Sequence, residues 1–235
     1  MRKTFSYIFM LFFLCGTLEL QANQHATDIA VVNRYKKTLL NKQDRTSLIQ
    51  YLIKKNNYTS YLEIGVSNGD NFNRIMIDHK DGVDPIGNPA NYQMTSDEFF
   101  AQNDRFYDII FIDGLHVAEQ VIKDVDHSLK WINPKGMIVM HDCLPQKEEA
   151  QFPYPVQGSW NGDVWKAAAY IRMHYPNVHF CVIDMDWGCG ILTPNSRQTL
   201  YPSVPINELD WNYYSTHRHQ LLNIVYLKDW LKTLR

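Results

Sequence analysis

Residues Tyr107–His116 read YDIIFIDGLH, and this segment carries the strongest indication of the fold. Residues 109–112 form an unbroken apolar run of β-branched and aromatic side chains, which predicts a strand buried on both faces, as in a parallel sheet. The run stops at Asp113, and His116 follows it closely. Because ligands bind at the carboxyl ends of the strands in open α/β sheets, an acid and an imidazole at this point indicate a functional site.

Segments of strand and helix character alternate along the rest of the chain. The predicted strands cover residues 60–65, 81–85, 107–112, 137–142, 178–184 and 188–194. The predicted helices cover residues 28–55, 71–78, 96–103, 117–132, 162–175 and 219–234. This alternation predicts an α/β fold with a doubly wound, mostly parallel, Rossmann-like sheet. Gly188 and Gly190 indicate a tight connection between the last two strands, so we expect the last strand to be antiparallel.

The composition restricts the class of protein. The chain has 235 residues, of which 45% are apolar and 20% charged, and its formal net charge is −2. These values suit one domain with a substantial core and argue against a disordered chain. There is no overall basic excess, so no nucleic-acid partner is expected. The four cysteines contain no CxxC pair, so neither a disulfide framework nor a cysteine zinc site is indicated.

The first 22 residues differ from the rest. Arg2 and Lys3 precede the apolar run YIFMLFFLCGTL, which is short for a membrane span and typical of a secretory signal. We expect residues 1–22 to be a signal peptide or membrane anchor, residues 28–200 the main domain, and residues 201–235 a helical extension. The protein is then secreted or held at a membrane. A misassigned start is the alternative, and it would leave the protein cytoplasmic.

A glycine-containing turn follows the first predicted strand, in YLEIGVSNGD (residues 61–70). Gly65 and Gly69 let a ligand approach the backbone closely. Asp84, at the end of the second predicted strand, stands where an acid can accept both hydroxyls of a ribose. The GxGxxG pattern of nicotinamide-dinucleotide-binding proteins is absent, because Ser67 takes the place of a glycine. The turn and the acid together favour a ribose-containing ligand, although each alone also fits an ordinary strand end.

Two pairs of polar residues end two of the predicted strands: Asp113 with His116, and His141 with Asp142. If these strands are neighbours, the four side chains converge at one edge of the sheet. Two carboxylates with imidazoles can hold a divalent ion. A histidine there can instead act as a general base, because its unperturbed pKa is about 6.5. For any single histidine, a structural hydrogen bond is the alternative.

A further candidate region is QGSWNGDVWK, residues 157–166, just before a predicted helix. Its aromatic and charged members are Trp160, Asp163, Trp165 and Lys166. They would suit a sugar or another polyhydroxy compound as the substrate that accepts a transferred group, with Lys166 as a candidate catalytic residue. The alternative is a loop and a capped helix, with Trp165 in the core. The aromatic segment DWNYYSTH, residues 210–217, is expected to form part of an acceptor lid, a packed surface or a partner contact.

Six segments, taken in order, resemble class I S-adenosylmethionine-dependent methyltransferases. They are YLEIGVSNGD, GVDP, TSDEFF, YDIIFIDGLH, VIKDVDHSL and GMIVMHDCLP. The chain most resembles the small-molecule and sugar O-methyltransferase-like family with the IDGxH signature. The resemblance covers residues 58–145 and extends more weakly to residue 194.

The resemblance implies a seven-stranded sheet with a reversed last strand and a site for S-adenosylmethionine. The residues that it assigns to the cofactor are Glu63, Gly65, Ser67, Gly69, Asp84, Ser96, Asp97 and Asp113. Asp84 is implied to hold the ribose hydroxyls, and Ser96 and Asp97 to lie near the adenine. Asp113 is implied to face the sulfonium region and the acceptor.

The resemblance also implies a metal site. In related O-methyltransferases, acids at the ends of these two strands bind magnesium, and Asp113 and Asp142 match those positions. His141 is the third candidate ligand, for Mg²⁺ or Mn²⁺. Catechol-type relatives carry Asn after the second acid, where this chain has Cys143, and a thiol is a poor magnesium ligand. His116 or His141 is then expected to complete a different site or to deprotonate an acceptor hydroxyl directly.

The expected function is S-adenosylmethionine-dependent O-methylation of a small molecule or glycan. The candidate catalytic residues are Asp113, His116, His141 and Lys166. Two other functions stay open: a metal-dependent hydrolase would bind metal without affinity for S-adenosylmethionine, and a non-catalytic protein would bind ligand without turnover. The cofactor is made in the cytosol, so an exported enzyme would need an uncleaved anchor with a cytoplasmic domain, or delivery to a compartment that contains the cofactor. The sequence does not set the oligomeric state.

Overall fold

The computed structural model describes residues 27–86, 88–155, 157–158 and 160–234. The predicted signal peptide or anchor, residues 1–22, lies outside the described residues. In the part of the chain that the structure does describe, no helix is both long enough and apolar enough to cross a membrane.

Seven strands of the described chain form one sheet. They are β1 (Ser60–Ile64), β2 (His79–Val83), β3 (Tyr107–Ile112), β4 (Ile132–Met140), β5 (Val178–Ile183), β6 (Cys189–Pro194) and β7 (Ile224–Val225). Their order across the sheet is β2-β1-β3-β4-β6-β5-β7. Strand β6 is antiparallel to both β4 and β5, and the other paired strands are parallel. The predicted α/β sheet with its reversed strand is therefore confirmed, and the short β7 adds a parallel strand at the edge.

Helices cover both faces of the sheet. They are α1 (27–42), α2 (Arg45–Asn56), α3 (Ser96–Gln102), α4 (Ala118–Trp131), α5 (Val164–His174), α6 (Trp211–Leu221) and α7 (Leu227–Thr233). Short 3₁₀ turns lie at Phe72–Arg74, Glu148–Gln151 and Ile206–Glu208. Helix α4 agrees with the predicted helix 117–132 to within one residue at each end.

Strand β3 shows how the core is divided. Ile110 and Ile112 pack with α3, α4 and α5 on one face, whereas Ile109 and Phe111 pack with α2 and α7 on the other. All four side chains are at most 2% exposed. Side chains of a strand point alternately to opposite faces, so an unbroken apolar run is what a strand between two helix layers requires.

The predicted helix 28–55 is in fact two helices. Gln43 has a positive φ of 50° between them. Asp44 then caps α2, because its side chain accepts a hydrogen bond from the backbone N–H of Ser47 at 2.7 Å. Helical periodicity continues across the break, so periodicity alone did not reveal it. The break places Arg45 in the first turn of α2, next to the candidate site.

Two other predicted helices are wrong in detail. Residues 71–78 hold only the 3₁₀ turn Phe72–Arg74. The predicted helix 219–234 is interrupted by β7, where Ile224 and Val225 pair with β5. Both are β-branched, and pairing with a buried strand outweighs the helical pattern around them. The segment 201–235 therefore contributes a strand as well as helices.

The parallel register brings the strand ends together. Ile64 of β1 lies beside Ile112 of β3, and Ile112 lies beside Met140 of β4. The residues that follow each strand therefore meet at the carboxyl edge of the sheet, as the sequence predicted.

Candidate functional site

A cavity of about 690 Å³ lies at the carboxyl ends of β1 to β4. Seven of the eight residues predicted to bind the cofactor line it: Glu63, Gly65, Ser67, Asp84, Ser96, Asp97 and Asp113. Gly69 does not line it. A Cβ on Gly69 would lie 2.6 Å from side-chain atoms of Asn73 and Pro89, so this glycine is needed for packing of the turn.

The turn after β1 depends on Gly65. Its φ is +89°, and a Cβ there would lie 2.1 Å from the backbone oxygen of Asp113. Only glycine avoids that clash, so it lets the ends of β1 and β3 approach closely. The backbone N–H of Ser67 donates to Asp84 Oδ2 at 2.8 Å, and the N–H of Ile86 donates to Asp84 Oδ1 at 2.9 Å. Asp84 therefore holds the two loops that flank it.

Glu63 lies at the floor of the cavity and is 1% exposed. It accepts a short hydrogen bond from the Tyr61 hydroxyl and another from Asn71 Nδ2 at 2.9 Å. Burial raises the pKa of Glu63 to about 7, and the hydrogen bonds from Tyr61 and Asn71 only partly offset that rise.

The far end of the cavity is formed by α3 and α4. Thr95 caps α3, in a capping box with Glu98. Gln120 Nε2 lies within 3.1–3.2 Å of Ser96 Oγ, Asp97 Oδ1 and Asp124 Oδ1.

Asp124 was missed by the sequence analysis. It is 1% exposed, and burial raises its pKa to about 6. The signal was present, because an acid stands on the face of α4 that carries Val121 and Val125. An acid on the apolar face of a helix needs a reason other than packing.

The Asp–His cluster consists of Asp113, His116, His141 and Asp142, and all four line the cavity. His116 Nε2 lies 3.4 Å from Asp113 Oδ1 and 3.3 Å from Asp142 Oδ2. His141 Nδ1 lies 3.3 Å from Asp113 Oδ1 and 3.2 Å from Asp142 Oδ2. The predicted convergence at the ends of β3 and β4 is thus present in the structure.

Residues 161–163 hold the cluster in place. Asn161 Nδ2 donates to Asp142 Oδ1 at 2.6 Å. Asp163 Oδ1 accepts from the backbone N–H of Ala118 at 2.7 Å, at the start of α4. Gly162 has a φ of +61°, and a Cβ on it would lie 1.9 Å from the backbone oxygen of His116. Asp163 therefore supports the loop that carries His116.

Arg45 and Asp186 join the cluster from distant parts of the chain. Arg45 Nε lies 3.6 Å from Asp113 Oδ2, and the Arg45 backbone N–H donates to Asp186 Oδ2 at 2.7 Å. Asp186 Oδ2 also lies 3.7 Å from His141 Nε2. No local sequence signal marked either residue, because Arg45 and Asp186 are 141 positions apart.

The cluster shifts the pKa values of its own members. Burial acts to lower the pKa of His141, but the carboxylates of Asp113, Asp142 and Asp186 outweigh it and hold the pKa well above its ordinary value. The pKa of His116 is raised for the same reason, by Asp113 and Asp142 against burial. Burial acts to raise the pKa of Asp113, and the two imidazoles and Arg45 hold it below its usual range.

The prediction for Lys166 is not supported by its position. Lys166 is not among the residues that line the cavity, and its Nζ lies 5.8 Å from the centre of the Trp165 ring. Trp165 is 0% exposed, and its ring packs 4.8 Å from that of Tyr214. The core alternative therefore holds for Trp165. Trp160 does reach the site, because its ring centre lies 4.9 Å from that of His116.

Cys143 points away from the cavity. It is 0% exposed, and a Cβ on Gly190 of β6 would lie 3.1 Å from its Sγ. Burial raises the pKa of its thiol. Cys143 therefore takes no part in the Asp–His cluster.

Comparison with known proteins agrees with this geometry. Residues 44–143 match the family model described as a methyltransferase domain. Among curated proteins, none matches the chain.

Two solved structures share the fold. One, described as a caffeoyl-CoA O-methyltransferase from Staphylococcus aureus, aligns with a TM-score of 0.51 and 18% identity over 77% of this chain and 99% of that one. Another, described as an O-methyltransferase from Klebsiella pneumoniae, aligns with a TM-score of 0.50 and 12% identity over 71% of this chain and 90% of that one. The matched residues cover β1 to β4 and the turns that form the cavity, so this part of the chain is similar to methyltransferase domains, and the two solved structures share its α/β fold.

Proposed function

We propose that this protein transfers the methyl group of S-adenosylmethionine to a hydroxyl oxygen of a small molecule. The observation that carries the proposal is the position of the Asp–His cluster, which lines the same cavity as the glycine turn and Asp84. Groups able to take a proton therefore lie beside the expected donor site. The two aligned structures are described as O-methyltransferases, which supports oxygen as the accepting atom.

The charge of the cavity suits a cationic donor. Its acidic lining residues are Glu63, Asp70, Asp84, Asp97, Asp113, Asp124 and Asp142. Among the described residues that line it, Arg45 is the one Lys or Arg. S-adenosylmethionine carries its methyl group on a positive sulfur, and transfer of that methyl leaves a neutral thioether. The acidic lining therefore favours binding of S-adenosylmethionine over binding of the neutral product, S-adenosylhomocysteine.

The turn residues of this chain would orient the donor. Asp84 Oδ2 accepts from the Ser67 N–H and Asp84 Oδ1 accepts from the Ile86 N–H, and a carboxylate oxygen can accept more than one hydrogen bond, so a ribose hydroxyl can add to these. Because those backbone bonds fix the carboxylate before any ligand arrives, little ordering is needed on binding. Alignment of nucleophile, methyl carbon and sulfur can lower the barrier by up to about 7–11 kcal/mol in favourable model systems.

The Asp–His cluster would receive the proton that the acceptor hydroxyl loses. The side chains of His116 and Asp113 are each 17% exposed, compared with 5% for His141 and 9% for Asp142. The acceptor is therefore expected to reach the cluster from the side of His116 and Asp113. A positioned base typically contributes about 10²–10⁴-fold in rate.

We propose a neutral or cationic polyhydroxy acceptor, such as a sugar. The acidic lining would repel phosphates and carboxylates. The Trp160 ring beside His116 offers an aromatic face of the kind on which the apolar face of a sugar can pack.

The proposal is tested by incubating the full chain with isotopically labelled S-adenosylmethionine and a panel of neutral, cationic and phosphorylated hydroxyl compounds. We expect O-methylated product from neutral or cationic members, identified by mass spectrometry. His116→Ala should lower the rate by about 100-fold and leave S-adenosylhomocysteine binding in place. Lys166→Ala is the matched control and should transfer methyl at the wild-type rate. Methylation of nitrogen or carbon alone, or an undiminished rate in His116→Ala, would contradict the proposal.

We also propose that the domain works on the cytoplasmic side of a membrane. The support is chemical, since S-adenosylmethionine is made in the cytosol, together with the apolar run that follows Arg2 and Lys3 in the sequence. Protease treatment of intact cells should leave the domain uncut, whereas cell lysis should expose it. Digestion in intact cells would place it outside.

A further inference from the structure

We propose that the Asp–His cluster binds one divalent transition-metal ion, such as Zn²⁺, Fe²⁺ or Co²⁺, in preference to Mg²⁺. The ligands are His116 Nε2, His141 Nδ1 and one oxygen each from Asp113 and Asp142. This inference rests on the proposed function only for the use of the ion, because its binding can be measured without methyl transfer.

The spacing of the four donor atoms carries the first step. Each imidazole nitrogen lies 3.2–3.4 Å from both carboxylate oxygens, Asp113 Oδ1 and Asp142 Oδ2. Ligands bound about 2.0–2.2 Å from one ion are about 3–3.5 Å apart, so each of these four nitrogen–oxygen distances suits a pair of ligands on one ion. Asp113, His141 and Asp142 offer ligand atoms that all lie within 4.8 Å of one another, whereas His116 is outside that group and joins it through its contacts with the two carboxylates.

The orientation of His141 is the second observation. His141 is 5% exposed, and its Nδ1 makes no hydrogen bond although two carboxylate oxygens lie 3.2 and 3.3 Å away. A buried ring nitrogen without a partner is costly. Nδ1 is close to both oxygens and is directed at neither, which is the arrangement expected when the three atoms face a common ion.

The groups behind the cluster also suit a metal site. Metal-bound imidazoles commonly face a carboxylate through the other ring nitrogen, and His141 Nε2 lies 3.7 Å from Asp186 Oδ2, with Arg45 Nη1 at 3.4 Å. Metal-bound carboxylates commonly accept a second hydrogen bond, and Asp142 Oδ1 accepts from Asn161 at 2.6 Å. His141 and Asp142 are therefore each oriented by neighbours outside the cluster.

The net charge of the Asp–His cluster and its charged neighbours favours a divalent cation. Asp113, Asp142 and Asp186 bring three negative charges, and Arg45 brings one positive charge. With neutral imidazoles, two negative charges remain. A divalent ion balances these two charges.

The donor set does not fit magnesium. Mg²⁺ prefers carboxylate, carbonyl and water oxygens, whereas imidazole suits zinc, iron, nickel and copper. Cys143, which stands where an amide ligand was expected, is buried and faces β6. Two imidazoles and two carboxylates remain, and that set favours an ion of the zinc type. Such an ion would lower the pKa of a hydroxyl that binds it.

The test uses the full chain, freed of metal with a chelator and equilibrated with Zn²⁺, Co²⁺ or Mg²⁺ in turn. Bound metal is measured by mass spectrometry of the dialysed protein, and no methyl donor is present. We expect one equivalent of Zn²⁺ or Co²⁺, bound at least 100-fold more tightly than Mg²⁺. Pulsed electron paramagnetic resonance of the Cu²⁺-loaded wild-type chain should show nitrogen from two imidazoles.

Variants assign the ligands. His116→Ala and His141→Ala should each weaken Co²⁺ binding by at least about 10–100-fold. His127→Ala is the matched control, because its side chain is 30% exposed and its ring lies 4.0 Å from Asp97, outside the cluster. It should bind Co²⁺ as the wild type does. The copper spectrum of the wild type does not depend on whether these variants fold.

Three results would overturn the inference: no bound Zn²⁺ or Co²⁺, Mg²⁺ bound as tightly as either, or a copper spectrum without imidazole nitrogen. A chain that binds S-adenosylhomocysteine but no metal would keep the proposed function and remove the metal site. A chain that binds Co²⁺ but no S-adenosylhomocysteine would do the reverse.

Discussion

Among single residues, Glu63 has the clearest expected effect on the pH dependence of stability. Its carboxyl group is buried between Tyr61 and Asn71 at the end of β1, and its pKa of about 7 lies above the ordinary value of 4.5. The folded chain therefore holds this proton more tightly than the unfolded chain does. Stability should be highest below pH 4.5 with respect to this group, and it should fall as pH rises from 4.5 to about 7.

Glu63→Gln should remove that loss. Each unit of pKa shift is about 1.4 kcal/mol, so the variant should gain up to about 3 kcal/mol on the wild type between pH 5 and pH 8. The free energy of unfolding of the full chain, from urea titrations at the two pH values, measures the gain. Glu119→Gln changes an exposed acid on α4 and should show no such gain. An equal difference between Glu63→Gln and wild type at both pH values would contradict the assignment.

Asp84 offers a second residue-level prediction. Asp84→Ala removes the acceptor for two backbone N–H groups and the expected ribose contact, so S-adenosylhomocysteine binding should weaken by about 1–3 kcal/mol. Isothermal titration calorimetry measures the change. Asp104→Ala is the control, because that side chain is 91% exposed. Equal affinity for wild type and Asp84→Ala would remove Asp84 from the donor site.

At the level of elements, the most consequential feature is the break between α1 and α2. Asp44 accepts from Ser47 N–H and starts α2 at Arg45, whose backbone N–H then meets Asp186. A continuous helix through residues 43–44 would not use Asp44 as a cap. The cap therefore links an ordinary helix start to the geometry of the Asp–His cluster.

Asp44→Ala should lower the free energy of unfolding by about 0.5–2 kcal/mol, the usual cost of losing an N-cap. Asp44→Asn keeps an oxygen that can accept from Ser47 and should stay close to wild type. Urea denaturation of the full chain compares the three proteins. If Ala and Asn destabilise equally, the cap does not account for the break.

The sequence predicted best those elements whose pattern reflects burial on the sheet. The apolar run at residues 109–112 and the apolar face of α4 both reflect this burial. Strand β3 and helix α4 accordingly lie where they were predicted. The sequence-based prediction was wrong where tertiary contacts determine which secondary structure forms. The pairing of Ile224 with Val182 made a strand out of a helical pattern, and residues 71–78 formed only a single turn.

For the molecule as a whole, the site combines local and distant contributions. The meeting of Asp113 with Asp142 follows from parallel neighbouring strands, so it was predictable from strand ends alone. Arg45 and Asp186 come from the first helix turn of α2 and from the tight turn between β5 and β6. Their contact depends on how the helix layers pack, and no short segment of sequence records that.

The acidic cavity gives a prediction at the same scale. S-adenosylmethionine should bind the full chain more tightly than S-adenosylhomocysteine at low salt, because only the former carries a positive sulfur. The ratio of the two dissociation constants should shrink as salt is added, since salt screens the charges of the cavity. Calorimetric titrations at low and high salt measure it. Tighter binding of the neutral product at low salt would contradict the electrostatic account.

The central claim is that the cavity at the strand ends holds the methyl donor. Equilibrium dialysis of the full chain against labelled S-adenosylmethionine tests it most directly. We expect one equivalent bound per chain, displaced by unlabelled S-adenosylhomocysteine and weakened by Asp84→Ala. Absence of binding at millimolar donor, or binding that S-adenosylhomocysteine does not displace, would contradict the claim.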